Sequence, residues 1–352
     1  MDPKFSVTQS LMTDNPKAVT RLKSRTFSDY PDMYLFVAAL LAGFLLLMWS
    51  ANQLVNSASN LRQRLNVSGY IIGFLVLGFG TSAPELLVSG FSAWQGNPGL
   101  AIGNALGSNS TNILLILGVA LCIAPLHLNR NTLYTGFMIL LAATSLFAGL
   151  IFDQRLQFHD GLILLLTLLV ILIYKARLGP EEQVKEPSEQ TLSPQSGLTL
   201  LLVKILTSLV LLILSSKLVV WSSVSIAEYL GTSDLIIGLT IVAIGTSLPE
   251  LATCITCALK KQSELVLGNI IGSNIFNTLG VVGTASLISA YDVPREIFVR
   301  DLPTMSAATA VLLILALVCL RTGRIPRGGF GVIFIASYIA YILIVYQQSV
   351  QV

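Results

Sequence analysis

The chain is predicted to be an all-α integral membrane protein, with ten transmembrane helices arranged as two inverted five-helix repeats. Three observations carry this. Of its 352 residues, 54% are hydrophobic and only 11% are charged, a balance typical of membrane proteins and not of soluble domains. The charges are also bunched: none lies from Met33 to Leu61, and Glu85 stands alone between Leu65 and Arg130. Finally, one block occurs twice. Ile71–Leu114 matches Ile236–Leu279 without a gap, identical at 18 of 44 positions and offset by 165 residues.

Taken in order, residues 1–32 are a polar tail carrying Lys4, Lys17, Arg21, Lys23 and Arg25. The tail lacks the apolar core and cleavage site of a signal peptide, and Met33, where the first apolar stretch begins, is where a native start is expected. The first repeat occupies 33–175, with apolar stretches at 33–56, 70–95, 100–123, 133–152 and 158–175. About 20 residues rising 1.5 Å each cross a hydrocarbon core of about 30 Å, so each stretch reads as one span. Residues 176–197 are the linker, marked by Pro180, Pro187, Pro194 and four glutamates. The second repeat, 198–352, has stretches at 198–221, 234–259, 264–288, 304–320 and 329–346. Five spans per half is an odd number, so the second half must start from the opposite face, which inverts the repeat.

Lysines and arginines set the orientation. The loops after the odd-numbered spans carry Arg62, Arg64, Arg130, Lys175, Arg177, Lys185, Lys260, Lys261, Arg321, Arg324 and Arg327, whereas the other face carries Arg155, Arg295 and Arg300. That places the linker in the cytoplasm and both termini outside, although the basic tail before Met33 counts against it. A net charge of +3 spread among loops suggests no nucleic-acid surface. The four cysteines lie in or beside apolar stretches and form no disulfide framework. Cys254 and Cys257 share a helix face, where the first repeat has Ser89 and Ser92, so packing is favoured over soft-metal binding. His127 and His159 lie at span ends and read as interface residues, and Lys204 and Lys217 are expected to snorkel.

The repeated block holds the residues with chemistry. Gly78, Thr81, Ser82 and Glu85 are spaced to share one helix face, as are Ala243, Thr246, Ser247 and Glu250. Pro84 cannot bond the carbonyl of Gly80, nor Pro249 that of Gly245, so both helices should kink near mid-membrane. The freed carbonyls need another partner there, and a hard cation would serve. On the following helices Ser108 and Asn112, and likewise Ser273 and Asn277, are i, i+4 neighbours. Gly103 with Gly107, and Gly268 with Gly272, provide small faces for close approach to the glutamate helices. A kinked Thr-Ser pair alone is as often packing as function. Two charged glutamates buried in lipid cost about 5–7 kcal/mol even on the lenient insertion scale, however, which points to a ligand. The donors are all oxygen, favouring Na⁺ or Ca²⁺ over Zn²⁺ or Cu⁺. Asn104, Asn109, Asn269 and Asn274 suit helix–helix bonding at least as well as ion contact.

Gly80-Thr81-Ser82-Ala83-Pro84-Glu85-Leu86 with Gly245-Thr246-Ser247-Leu248-Pro249-Glu250-Leu251, each followed by Gly-Asn-x-x-Gly-Ser-Asn-x-x-Asn, resembles the paired repeats of the calcium/cation antiporter superfamily, in particular its bacterial sodium/calcium exchanger branch. The resemblance covers both halves. It implies a secondary active antiporter of the inner (cytoplasmic) membrane, not an enzyme. Such a protein exchanges Ca²⁺ for Na⁺ by alternating access, with no cofactor beyond the transported ions, and is expected to be monomeric. By similarity the ion sites would be formed by Thr81, Ser82, Glu85, Ser108 and Asn112 with Thr246, Ser247, Glu250, Ser273 and Asn277, plus backbone oxygens of Gly78 and Ala243. In the family one Ca²⁺ sits between the glutamates or three Na⁺ occupy neighbouring sites, while the first and sixth spans slide across the rest. Some relatives carry Asp where this chain has Asn277, so K⁺ dependence is not expected. Proton-coupled exchange of Ca²⁺ or another divalent ion is the alternative. Proton-coupled relatives typically carry Gly-Asn-x-x-Glu-His at this motif, which this chain lacks. An intramembrane hydrolase is disfavoured, because neither His-Glu-x-x-His nor paired catalytic aspartates occur within the spans.

Overall fold

The computed structural model describes residues 31–128, 130, 133–177, 197–230 and 243–350. The polar tail, most of the linker and the expected start of the seventh span, 234–242, lie outside these residues. Among the described residues eight helices are long and apolar enough to cross a membrane, and one bent pair makes a ninth. In order they are α1 (Pro31–Leu65), the bent pair α2 (Gly69–Thr81) and α3 (Ala83–Trp94), α4 (Pro98–Ile123), α5 (Tyr134–Asp153), α6 (Phe158–Arg177) and α7 (Leu198–Tyr229). After the gap come α8 (Leu248–Leu259), preceded by one helical turn at Ala243–Gly245, then α9 (Ser263–Ile288), α10 (Ile297–Cys319) and α11 (Gly329–Val350).

Hydropathy misjudges the end of α1, which runs nine residues past position 56. Its last turns are polar, and side chains from the α8–α9 turn hold them: Lys260 donates to Asn56, and Gln262 Nε2 donates to Ser59 Oγ at 2.8 Å. The helix stops at Asn66, which takes φ +52°, a left-handed conformation that asparagine tolerates at helix ends.

The duplication is visible in the backbone. Ala83–Trp94 and Leu248–Leu259, Pro98–Ser110 and Ser263–Ile275, and Leu117–Ile123 and Val282–Ile288 all differ by 165 residues. So do two π-helical segments inside α4 and α9, Thr111–Ile116 and Phe276–Val281. α9 is buried from Ser263 to Gly283 and α4 mostly so, whereas α1, α6, α7 and α11 turn long apolar faces outward. A helix buried on nearly all sides lies at the centre of the bundle.

α1 and α7 pack together on the periphery, and they run antiparallel. Phe36, early in α1, meets Trp221 and Tyr229 late in α7 with ring centroids at 5.2 and 5.6 Å. Seven residues further along α1, Gly43 lies against Val219. Four two-residue strands tie the loops: β1 (Leu126–His127) pairs antiparallel with β4 (Arg324–Ile325), and β2 (Arg155–Leu156) with β3 (Tyr291–Asp292). β1 and β3 are again 165 residues apart.

Two of the basic residues in the charge count are buried inside helices. Lys175 is fully buried inside α6, its ammonium 4.4 Å from the centre of the Tyr70 ring and 5.3 Å from that of Phe74. Arg62 is 5% exposed in the last turns of α1, 3.7 Å from the Glu264 carboxylate. Of the eleven basic residues counted on that face, these two are therefore buried in the protein. These side chains read as surface charges because their partners are distant in sequence.

Candidate functional site

The α2–α3 helix breaks at Ser82, where φ/ψ of −84°/5° leaves the helical basin and the axis turns by 42°. Ser247 does the same before α8, at −90°/6°. In each case proline follows two residues later, at the start of the next helix, where its missing N–H costs nothing. Glu85 and Glu250 thus fall in the first turn after a break, and both are buried, at 0% and 2% exposure.

The expected role of a cation in capping the freed carbonyls needs correction at one of them. The Ser216 hydroxyl of α7 donates to the Gly245 carbonyl at 2.9 Å, so a side chain fills that need. Sequence reasoning missed Ser216, whose only signal was a Ser215-Ser216 pair inside an apolar span.

The two repeats meet through backbone contact. A Cβ on Gly78 would stand 2.9 Å from the Ser273 nitrogen, and one on Gly272 would stand 2.8 Å from the Phe74 carbonyl oxygen. α2 and α9 therefore cross with only hydrogen between their main chains, as the small faces at Gly268 and Gly272 predict. Gly103 and Gly107 have no described atom within 4 Å of that position. Their partners by repeat symmetry fall at 235–239, outside the described residues.

This crossing unites site residues from both halves. Ser82 Oγ donates to Glu250 Oε1 at 3.1 Å, and Ser273 Oγ donates to the Gly78 carbonyl at 3.1 Å. Thr81 Oγ1 lies 2.9 Å from the Leu77 carbonyl and 3.3 Å from Asn269 Oδ1. Ser108, Asn112, Ser247 and Asn277 are all buried, and Thr246 is half-buried. Ala243 lies in the single turn before the break. The i, i+4 relation expected of Ser108 with Asn112, and of Ser273 with Asn277, is altered by the π segments, which begin one residue before each asparagine. A π turn rotates the following side chains relative to an ideal helix, a device common at functional sites.

Many polar atoms here have no hydrogen-bond partner among the described residues. They are both carboxylate oxygens of Glu85, Oε2 of Glu250, the side-chain amides of Asn112 and Asn277, and the hydroxyls of Thr246 and Ser247. Buried polar groups are nearly always paired, and one left unmade costs about 1–3 kcal/mol, more if charged. Buried unpaired oxygens of carboxylates, hydroxyls and amides from both repeats are the ligand types a hard cation takes. Among the described residues no group of three or more His, Cys, Asp or Glu could hold a metal ion. The oxygens that could hold a cation must then come from hydroxyls and amides as well as carboxylates.

Comparison with known proteins agrees with this organisation. The sequence profile of the family described as "Sodium/calcium exchanger protein" matches the chain twice, over residues 35–177 and 200–347. The CaxA protein of Alkalimonas amylolytica is 40% identical over 306 residues, covering 86% of this chain and 96% of its own. The sodium/calcium exchanger MaX1 of Methanosarcina acetivorans is 29% identical, covering 87% of this chain and 97% of its own. A solved structure of the sodium-calcium exchanger NCX_Mj superposes with a TM-score of 0.76 at 29% identity, covering 88% of this chain and 99% of its own.

Proposed function

This chain belongs to the sodium/calcium exchanger protein family, and on that premise we propose that it extrudes Ca²⁺ in exchange for Na⁺ by alternating access at a single site between its halves. The family is one of transporters, so the chain moves ions and does not transform a substrate. The observation that carries the reading is the pair Glu85 and Glu250. They hold equivalent positions in two copies of one block, both are buried, and the Ser82–Glu250 bond joins the copies. Thr81, Ser82, Ser108 and Asn112 with Thr246, Ser247, Ser273 and Asn277, and the backbone oxygens of Gly78 and Ala243, complete the ligand set. The neutral amide at position 277 supplies an oxygen dipole without charge.

Ten spans in two inverted repeats suit this function, because inversion lets one half adopt on one face what the other adopts on the opposite face. Strand pairing supports inversion. β1 and β2 flank the single helix α5 and so lie at opposite ends of one crossing, while β3 pairs with β2. The equivalent strands β1 and β3 then belong to opposite faces. The antiparallel packing of α1 on α7 agrees, and these two peripheral helices are the ones to slide across the rest. Residues 33–175 and 198–352 are the repeats, and the remaining basic residues favour a cytoplasmic linker with the termini outside.

Three Na⁺ moving down a tenfold gradient release about 4 kcal/mol, and one net charge adds about 2.3 kcal/mol per 100 mV. Together these sustain a Ca²⁺ gradient on the order of 10⁴. The test is ⁴⁵Ca²⁺ uptake into liposomes bearing the purified protein. Uptake driven by an outward Na⁺ gradient, and unaffected by a pH gradient or by K⁺, is the expected result. Uptake driven by the pH gradient instead would establish proton coupling and overturn the Na⁺ reading.

A further inference from the structure

Thr81 is embedded in a chain of side chains with no equivalent at its repeat counterpart Thr246 among the described residues. Its hydroxyl has a single proton and three acceptors around it: the Leu77 carbonyl at 2.9 Å and Asn269 Oδ1 at 3.3 Å, and, on the ion-site side, the Glu250 carboxylate that competes with them. Asn269 is in turn held by Cys254, its Nδ2 donating to the thiol sulfur at 3.2 Å. Thr81, Asn269 and Cys254 are each 0% exposed, and they sit on α2, α9 and α8. In the first repeat Asn104 instead donates to Ser89 Oγ at 3.2 Å, and Ser89 lies 3.3 Å from the Ala101 carbonyl. No bond from Asn104 to Thr246 occurs among the described residues.

We propose that Asn269, anchored by Cys254, is a positioning residue that draws the Thr81 proton away from the ion site, so that the hydroxyl presents its lone pairs to the transported cation. The inference rests on the reading of Thr81 as an ion ligand. A hydroxyl that ligates a cation must aim its proton elsewhere. A thiol is a weak acceptor in this chain of bonds, and serine is the natural substitute, since Ser89 already bonds the equivalent amide in the other repeat.

The experiment measures half-saturating Ca²⁺ and Na⁺ concentrations and maximal rates in liposomes for Asn269→Leu, Cys254→Ala, Cys254→Ser and Thr81→Val. Asn269→Leu and Cys254→Ala should raise the half-saturating concentrations about three- to tenfold, the loss expected for one hydrogen bond, with maximal rates nearly kept. Cys254→Ser should restore the original affinities. Combining Asn269→Leu with Thr81→Val should cost no more affinity than Thr81→Val alone, because no hydroxyl is left to orient. Should Asn269→Leu fail to fold, the contrast between Cys254→Ala and Cys254→Ser carries the test. Additive losses in the double variant, or equal affinities for Cys254→Ala and Cys254→Ser, would overturn the positioning role while leaving Thr81 a ligand. Unchanged affinities in Thr81→Val would instead remove Thr81 from the site and the proposal with it.

Discussion

Replacing Gly268 with alanine should disable the protein by wedging its two halves apart. The new Cβ would stand 2.8 Å from the Phe74 nitrogen and 2.9 Å from Gly73 Cα, and it would meet the Tyr70 carbonyl oxygen as well. Ordinary contact starts near 3.4 Å, so α2 and α9 must separate by at least 0.6 Å (3.4 − 2.8). All of these neighbours are backbone, which has no rotamer to yield. The same movement would stretch the Ser273–Gly78 bond from 3.1 to about 3.7 Å and the Thr81–Asn269 bond from 3.3 to about 3.9 Å, beyond hydrogen-bonding range. Overpacking of about 1–3 kcal/mol plus about 1 kcal/mol for each lost bond gives about 3–5 kcal/mol. Gly90→Ala is the control, because nothing lies within 4 Å of its Cβ position and alanine favours a helix interior. Thermal unfolding in detergent, read alongside Na⁺-driven ⁴⁵Ca²⁺ uptake, should show a lower Tm and lost transport for Gly268→Ala only. A Gly268→Ala protein with the original Tm and uptake would refute backbone-to-backbone packing of the halves.

Three further outcomes are expected. Single cysteines replacing Asp292 on β3 and Arg324 on β4, in a background lacking the exposed Cys122, should be labelled by impermeant reagent from opposite faces; labelling from one face would exclude inversion. Glu264→Ala removes the acceptor of the Gly69 N–H at 2.8 Å and the carboxylate facing buried Arg62. It should cost about 3 kcal/mol, read as a lower Tm in detergent, and an unchanged Tm would show that the pair contributes nothing. On the proposed site, Asn277→Asp would add a third carboxylate beside Glu85 and Glu250, and like charges that close do not all ionise cheaply. Its uptake should therefore vary more steeply with pH or accept a new monovalent ion, and profiles identical to the parent's would show that position 277 does not line the site.

Much of this arrangement is legible in the sequence because duplication prints each element twice. The breaks at Ser82 and Ser247, the buried glutamates and the close approach at Gly268 and Gly272 follow from residue types with strong local consequences. What the sequence hides is non-local. The π segments at Thr111–Ile116 and Phe276–Val281 span six residues each, too short for an apolar pattern to distinguish a π turn from an α turn. Ser216 capping Gly245, Lys175 lying over Tyr70, and β2 pairing with β3 each join residues from different elements, some of them more than a hundred positions apart. No propensity or periodicity encodes such contacts. The asymmetry between Asn269 and Asn104 is hidden for a different reason: the two repeats differ there only by cysteine against serine at 254 and 89.

The central claim is that Glu85 and Glu250 share one divalent ion. Calorimetric titration of Ca²⁺ into the purified protein tests it most directly, comparing the parent with Glu85→Gln and Glu250→Gln, each first shown to unfold cooperatively. Saturable binding by the parent at one ion per chain, lost in both variants, is the predicted result. Ca²⁺ binding retained at the parent's affinity in either variant would contradict it.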